Sequence, residues 1–391
     1  MPLSRINVVD LTRIIAGPFC TLLLADMGAE VIKVEPPEGD PLRAQGVIKD
    51  GLSWYYTSYN RNKKSIILDL YIDDGKEILK SLIRKSDIVV DNFRPGVMSK
   101  MGFSYSRLKE LRQDIIYCGI TGFGAGGPYK DRPAFDFIAQ AISGFMSLNG
   151  CEGGEPMRVG VPISDLIAGL YAALGIVSSL LHRSQTGEGQ EIQTSLVDGL
   201  YSFMSYMAAN FLASGELPKR TGNDHPIVSP YGIFRASDGD IAIAPSNDQF
   251  YFKLINVLGL NHLKDDPEFT SNDLRVAKRA KINAIIQEKI AMQSQEYWIE
   301  VLNKAGVPCS TVRNLRKAFN DPQVHHQEMI IEAEHPGHGK VKMVGFPIKL
   351  SQSPCRIRRP APKLGEHTEE VLTGLGYTLE QIKSLRERKV I

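Results

Sequence analysis

The 391-residue chain has no surplus of either charge: 46 lysines and arginines face 44 aspartates and glutamates, for a net +2. A nucleic-acid or anionic-membrane partner calls for a one-signed surface, so neither partner is expected. Cysteine is sparse. The five thiols (Cys20, Cys118, Cys151, Cys309, Cys355) are odd in number, far apart and without a CxxC pair, which argues against a disulfide scaffold and for a reducing compartment. No apolar run reaches the roughly 20 residues of a membrane span. The longest, Leu166 to Leu181, is broken by Gly169, Gly175, Ser178 and Ser179 and reads as a buried core helix. MPLSRI passes directly into INVVDL without the segments of a secretory leader, so a cytoplasmic protein is expected. His325-His326 and the pair His335 and His338 lack convergent acidic or cysteine partners, and no metal site is expected.

What is present is 43% apolar residues, enough for more than one core, so two domains are expected. Over the first two hundred residues strand-like and helix-like runs alternate: INVVDL, TLLLADMG, EVIKVE, SIILDL, GKEILKSLIRK, DIVVDN, IIYCGIT. That alternation predicts an α/β fold, a Rossmann-like parallel sheet flanked by helices. Ligands in such folds lie beyond the carboxyl ends of the strands, which points to the loops at 10–17, 35–43, 92–96 and 122–127. Near Pro218 the character changes to a proline-rich connector, followed by the hairpin YGIFRA-SDGD-IAIAPS with Asp238-Gly239 at its turn. The expected layout is a large discontinuous domain of 1–215 and 322–391, a smaller α+β domain at 230–310, and linkers at 216–229 and 311–321.

Gly122, Gly124 and Gly127 spell GxGxxG after a strand-like run. A dinucleotide fingerprint needs a helix N-terminus at the glycines and an acid about 20 residues on. Pro128 and Pro133 delay any helix to near Phe135 or Asp136, so the match is accidental.

Asp165 stands where the longest apolar helix begins, in VPISD-LIAGLYAALG. Ser164 or Asp165 serves as a helix cap on position alone. The functional reading is that the helix dipole and free N–H groups keep the carboxylate ionised and steady a developing oxyanion. Both readings can hold.

Taken together, AGPFCTLLLADMGAEVIKVEPPEGDPLR (16–43), NRNKKSIILDL (60–70), SDIVVDNFRPGVMSKMGF (86–103), GFGAGGPYKDRPAFDFIAQAISG (122–144), PISDLIAGLYAALGI (162–176), GQEIQTSLVDG, GNDHPIVSPY and LGEHTEEVL resemble the family III CoA-transferases over nearly the whole chain. The resemblance implies that Asp165 is a nucleophile that moves CoA from an acyl-CoA to a free carboxylic acid through an acyl anhydride and an Asp–CoA thioester. A carboxylate of pKa about 3.9 displacing a thiolate of pKa about 8.5 works against roughly 6 kcal/mol of leaving-group mismatch. Binding of the distant nucleotide and pantetheine must offset it. The resemblance further implies coenzyme contacts at Ile15, Ala16, Leu68, Asn92, Phe93, Arg94, Lys100, Arg132, Phe135 and Asp136. It implies the acyl-CoA as substrate, no permanently bound cofactor, and an interlocked homodimer of two ring-like chains.

Departures from the family pattern bear on substrate. Members acting on formate and oxalate carry Gln at the Ile15 position, Tyr at the Phe135 position and a glycine-rich lid where this chain has NDHPIVSPY, so those acids are disfavoured. Pro36-Pro37 stands where those members place an arginine, which leaves that phosphate contact open, with Arg43 as one candidate substitute. Arg13, in DLTR, reads either as a loop arginine paired with a nearby acid or as the grip on the distal carboxylate of a succinate-like or glutarate-like acid, and His225 either as a structural loop histidine or as a residue facing the substrate. The related 2-methylacyl-CoA racemases use a histidine where this chain has Phe135, which cannot exchange a proton. A non-catalytic CoA-binding protein is the alternative of another class, and the presence of Asp165 disfavours it.

Overall fold

The computed structural model describes residues 1–391. Six strands, β1 (Asn7–Asp10), β2 (Glu30–Glu35), β3 (Lys63–Ile67), β4 (Ile88–Asp91), β5 (Ile116–Thr121) and β6 (Glu191–Ser195), form one sheet in the order β3-β2-β1-β4-β5-β6. Every neighbouring pair is parallel. The order reverses between β1 and β4, and a crevice opens at that switch point beyond the strand ends.

Side-chain alternation splits the interior into two layers. Val8, Val31, Val90 and Cys118 face helices α1 (Ala16–Asp26) and α5 (Ile163–Thr186), while Val9, Ile66 and Val89 face α3 (Asp73–Arg84) and the C-terminal helices Thr368–Gly374 and Leu379–Glu387. The intervening helices that bear on the site are α2 (Trp54–Asn60) and α4 (Asp136–Ile142). The tail is tied to the sheet edge: the N–H groups of His367 and Asp69 donate to the Ser65 and Val390 carbonyls at 2.9 and 2.8 Å.

α5 runs for 24 residues, beyond the apolar run Leu166 to Leu181 at both ends, and is long and apolar enough to cross a bilayer. Its Ile167, Ala168, Ala172, Ala173 and Ile176 are instead buried in the core against α1 and the sheet.

The chain divides into two compact units, one of 1–145, 158–209 and 323–391, the other of 146–157 and 210–322. In the second, an antiparallel sheet of Gly232–Arg235, Asp240–Ile243 and Cys309–Thr311 packs with helices Asp248–Val257, Arg279–Ile290 and Gln295–Lys304 around Phe234, Ile241, Ile286 and Trp298.

Candidate active site

α5 begins after Pro162, which offers no capping side chain, and its cap comes from another helix. Asp136, in the first turn of α4, accepts from both the backbone N–H and the hydroxyl of Ser164 at 2.9 Å through Oδ1. Its Oδ2 accepts from Gln140 Nε2 at 2.8 Å, and Gln140 Oε1 accepts from the Val159 N–H at 2.9 Å, bracing the segment that leads into α5. Asp136, Gln140 and Ser164 are all buried. Asp165 follows directly, so its backbone is fixed by its neighbour's cap.

Burial, with the Asp136 charge second, pushes the Asp165 carboxyl up to about 7. The helix N-terminus was expected to hold this carboxylate firmly ionised; desolvation and a like charge outweigh the dipole. The nucleophile candidate is thereby a stronger base than an ordinary aspartate. Tyr55 and Tyr59, one turn apart on α2, feel its charge, and Tyr59 is raised to about 12, mainly by burial. Sequence inspection had missed both tyrosines.

Asp165 lines a cavity of about 340 Å³ together with Arg13, Arg94, Lys130 and Arg132. None of these four cations forms an ion pair with the protein, and Arg132 stacks on Tyr129 with 3.8 Å from guanidinium to ring centroid. Ala16, Asn92 and Phe135 also line this cavity, and Phe135 is largely exposed. Its ring is apolar and offers the cavity no group that exchanges a proton. Gly122 is needed here, because a Cβ on it would stand 2.6 Å from that of Ala134. The helix after the glycines starts at Asp136, as the prolines dictate.

A second cavity of about 470 Å³ opens at the ends of β1 to β4 and shares Arg13 and Arg94 with the first. Leu68 and Phe93 line it. Beneath it lies a buried charge network in which Lys63 pairs with Asp10 (3.1 Å) and Lys33 with Asp40 (2.9 Å). Each charge has a partner, as burial requires. Arg43 lies close by but is bound by Glu35 at 2.6 Å, by Tyr56 and by the Pro362 carbonyl, so it does not line the cavity as a substitute for the missing arginine.

The other residues assigned from sequence lie outside both linings. Ile15 is buried at the start of α1, Asp136 is buried behind Ser164, and Lys100 is exposed on the short helix Val97–Lys100, beside the lining residue Met101. His225 belongs to the second unit, where its carbonyl accepts from Arg279 at 2.6 Å and its ring lies 5.1 Å from Tyr231.

With the Asp165 carboxylate at one end and cations without carboxylate partners along the walls, such a pair of cavities suits a long anionic ligand. The sequence profile of CoA-transferase family III matches residues 3–368. The succinate–glutarate CoA-transferase of Agrobacterium fabrum (strain C58) is 38% identical over 382 residues, 96% of each chain. The chain belongs to the family III CoA-transferases. It is an enzyme, and its family works on CoA thioesters. Within the family, the acetyl-CoA:oxalate CoA-transferase of Acetobacter aceti is 38% identical over 93% of each chain. A CAIB/BAIF family protein from Brucella suis shares the fold at a TM-score of 0.85 and 38% identity, over 96% of this chain and 99% of that one.

Proposed function

We propose that this enzyme transfers CoA from a short dicarboxylic acyl-CoA, succinyl-CoA or a similar one, to a second dicarboxylic acid, with Asp165 as the covalent carrier. The carboxylate of Asp165 attacks the thioester carbonyl, forming the mixed anhydride and expelling CoA thiolate. The thiolate then attacks the Asp165 carbonyl, releasing the donor acid with one oxygen from the enzyme and leaving an Asp165–CoA thioester. The acceptor carboxylate displaces the thiolate in turn, and the thiolate recaptures the acceptor's acyl group, restoring Asp165.

The observation that carries this reading is an Asp165 carboxylate made basic by burial, placed among four cations without carboxylate partners. Raised basicity narrows the leaving-group gap between carboxylate and thiolate, because each unit of pKa is worth about 1.4 kcal/mol. The cavity lined by Leu68 and Phe93 is the proposed seat of the nucleotide end, with Arg94 between the two cavities for phosphate. Arg13 is assigned to the distal carboxylate of the acid. The names of the relatives, with succinate, glutarate and oxalate among their acids, support a dicarboxylate preference.

A homodimer is part of the same proposal. Leu170, Leu174, Val177 and Leu181 form an exposed apolar stripe along α5, at the spacing of one helix face. All five thiols are unpaired, consistent with a cytosolic setting. A panel of acyl-CoA donors and free acids, with mass spectrometry of the CoA products, tests the reaction: new CoA esters of diacids support it, and simple hydrolysis contradicts it.

A further inference from the structure

We infer that the turn Thr12–Ile14 is a strained mount for Arg13, clamped by side chains, and that Asn92 acts in the reaction through Arg13 as the positioning residue that sets selectivity for acids with a second carboxylate. The selectivity part rests on the function proposed above.

Ile14 has φ +70°. A β-branched residue avoids this left-handed region because its Cβ crowds the backbone, and glycine or asparagine would be the unforced choice. Surrounding groups impose it. The Thr12 N–H donates to Asp10 Oδ1 at 2.9 Å, and the Thr12 carbonyl accepts from Lys33 Nζ at 2.7 Å. The Arg13 N–H donates to Asn92 Oδ1 at 3.0 Å, while Asn92 Nδ2 donates to the Arg13 carbonyl at 2.8 Å. The Ile14 N–H lies 3.3 Å from both oxygens of Asp40, which Lys33 holds at 2.9 Å. Of the polar backbone groups of these three residues, only the Ile14 carbonyl is not held by a side chain.

The clamping groups come from β1, β2, the loop after β2 and the end of β4. They meet where the sheet order reverses, so the turn bridges the crevice itself. Strain that persists under this much constraint marks a functional position. The side chain so mounted is Arg13, exposed, without an ion pair, and lining both cavities. The family resemblance makes Asn92 a coenzyme contact, yet both ends of its amide already grip the Arg13 peptide. One N–H and one lone pair remain.

The test uses the full enzyme and compares glutarate with pentanoate, acids of equal chain length that differ by one carboxylate. Selectivity is read twice, as the ratio of kcat/KM values and as the ratio of calorimetric Kd values in the presence of CoA. Arg13→Ala is expected to reduce the preference for glutarate tenfold or more, Asn92→Ala fivefold or more, and the double variant no further than Arg13→Ala alone. Asn92→Asp, which keeps the acceptor and loses the donor, falls between and serves should the alanine variant fold poorly. Amide exchange at Arg13 and Ile14 should be slow in the wild type and fast in Asn92→Ala. Multiplicative losses in the double variant, a raised KM for acyl-CoA with unchanged selectivity, or unprotected amides in the wild type would overturn the inference. An enzyme that transfers no CoA sinks the proposed function, while the titrations and exchange rates still decide the clamp.

Discussion

Asp136 caps the helix that carries Asp165 and, at the same time, opposes the ionisation of Asp165. One carboxylate thus fixes the position of the other and contributes to its raised basicity. Because Asp165 must be ionised to attack, kcat/KM should fall as pH drops below about 7, approaching tenfold per unit. Asp136→Asn keeps an acceptor for Ser164 and removes the repelling charge. The acid limb should then move to lower pH but stay above the ordinary aspartate range, since burial remains, with kcat at high pH reduced as Asp165 becomes less basic. An unshifted limb would deny Asp136 its electrostatic part.

Asp165→Asn should abolish transfer and leave CoA binding intact. The same substitution should raise the melting temperature at pH 8. The sign follows from linkage: the folded-state pKa, about 7, lies above the unfolded value, so the native state binds the extra proton between about pH 4 and 7 and stability falls as pH rises through that window. The ionised side chain therefore costs stability at pH 8, by at most on the order of 4 kcal/mol before solvent screening is allowed for. Calorimetric melts at pH 5 and pH 8 check this, with the gain expected to be much larger at the higher pH.

The exposed cations Arg94, Lys130 and Arg132 have no protein carboxylate to offset them. KM for acyl-CoA should rise with ionic strength, since exposed charges are screened within about 10 Å at 0.1 M salt. Arg94→Ala should raise that KM about tenfold and flatten its salt dependence, as steady-state kinetics at two salt concentrations would show.

Gly17 packs on Thr12, and a Cβ there would stand 2.3 Å from the Thr12 Cβ. Thr12 cannot yield easily, because Asp10 and Lys33 hold its backbone. Gly17→Ala should destabilise the fold by about 2 kcal/mol or more, measurable by urea denaturation.

Placing glutamate at Leu174, 59% exposed in the middle of the apolar stripe on α5, should disrupt the proposed homodimer. Light scattering would show a smaller species, and an unchanged mass would move the interface elsewhere.

The parallel sheet was legible because apolar runs such as INVVDL and DIVVDN recur with helical spacers, and Pro128 and Pro133 set the start of α4. Asp165 was legible as a residue but not in its ionisation state. Its basicity comes from burial in the folded chain and, second, from Asp136, 29 positions away, which reaches Ser164 through a contact that no local pattern announces. The same holds for the Arg13 turn. Nothing in DLTRII marks a left-handed isoleucine, because the constraint comes from Lys33, Asp40 and Asn92 on other strand ends. The surroundings of Arg43 were hidden for a like reason, since sequence does not reveal that Glu35 claims it.

Isotope transfer from the acceptor tests covalent catalysis most directly. Turnover with a dicarboxylic acid bearing heavy oxygen in its carboxyl groups should leave one heavy atom in the Asp165 side chain per cycle, seen as gains of about 2 and then about 4 Da on the peptide containing it. Abundant product with an unlabelled Asp165 would show that the enzyme's own oxygen never entered the reaction.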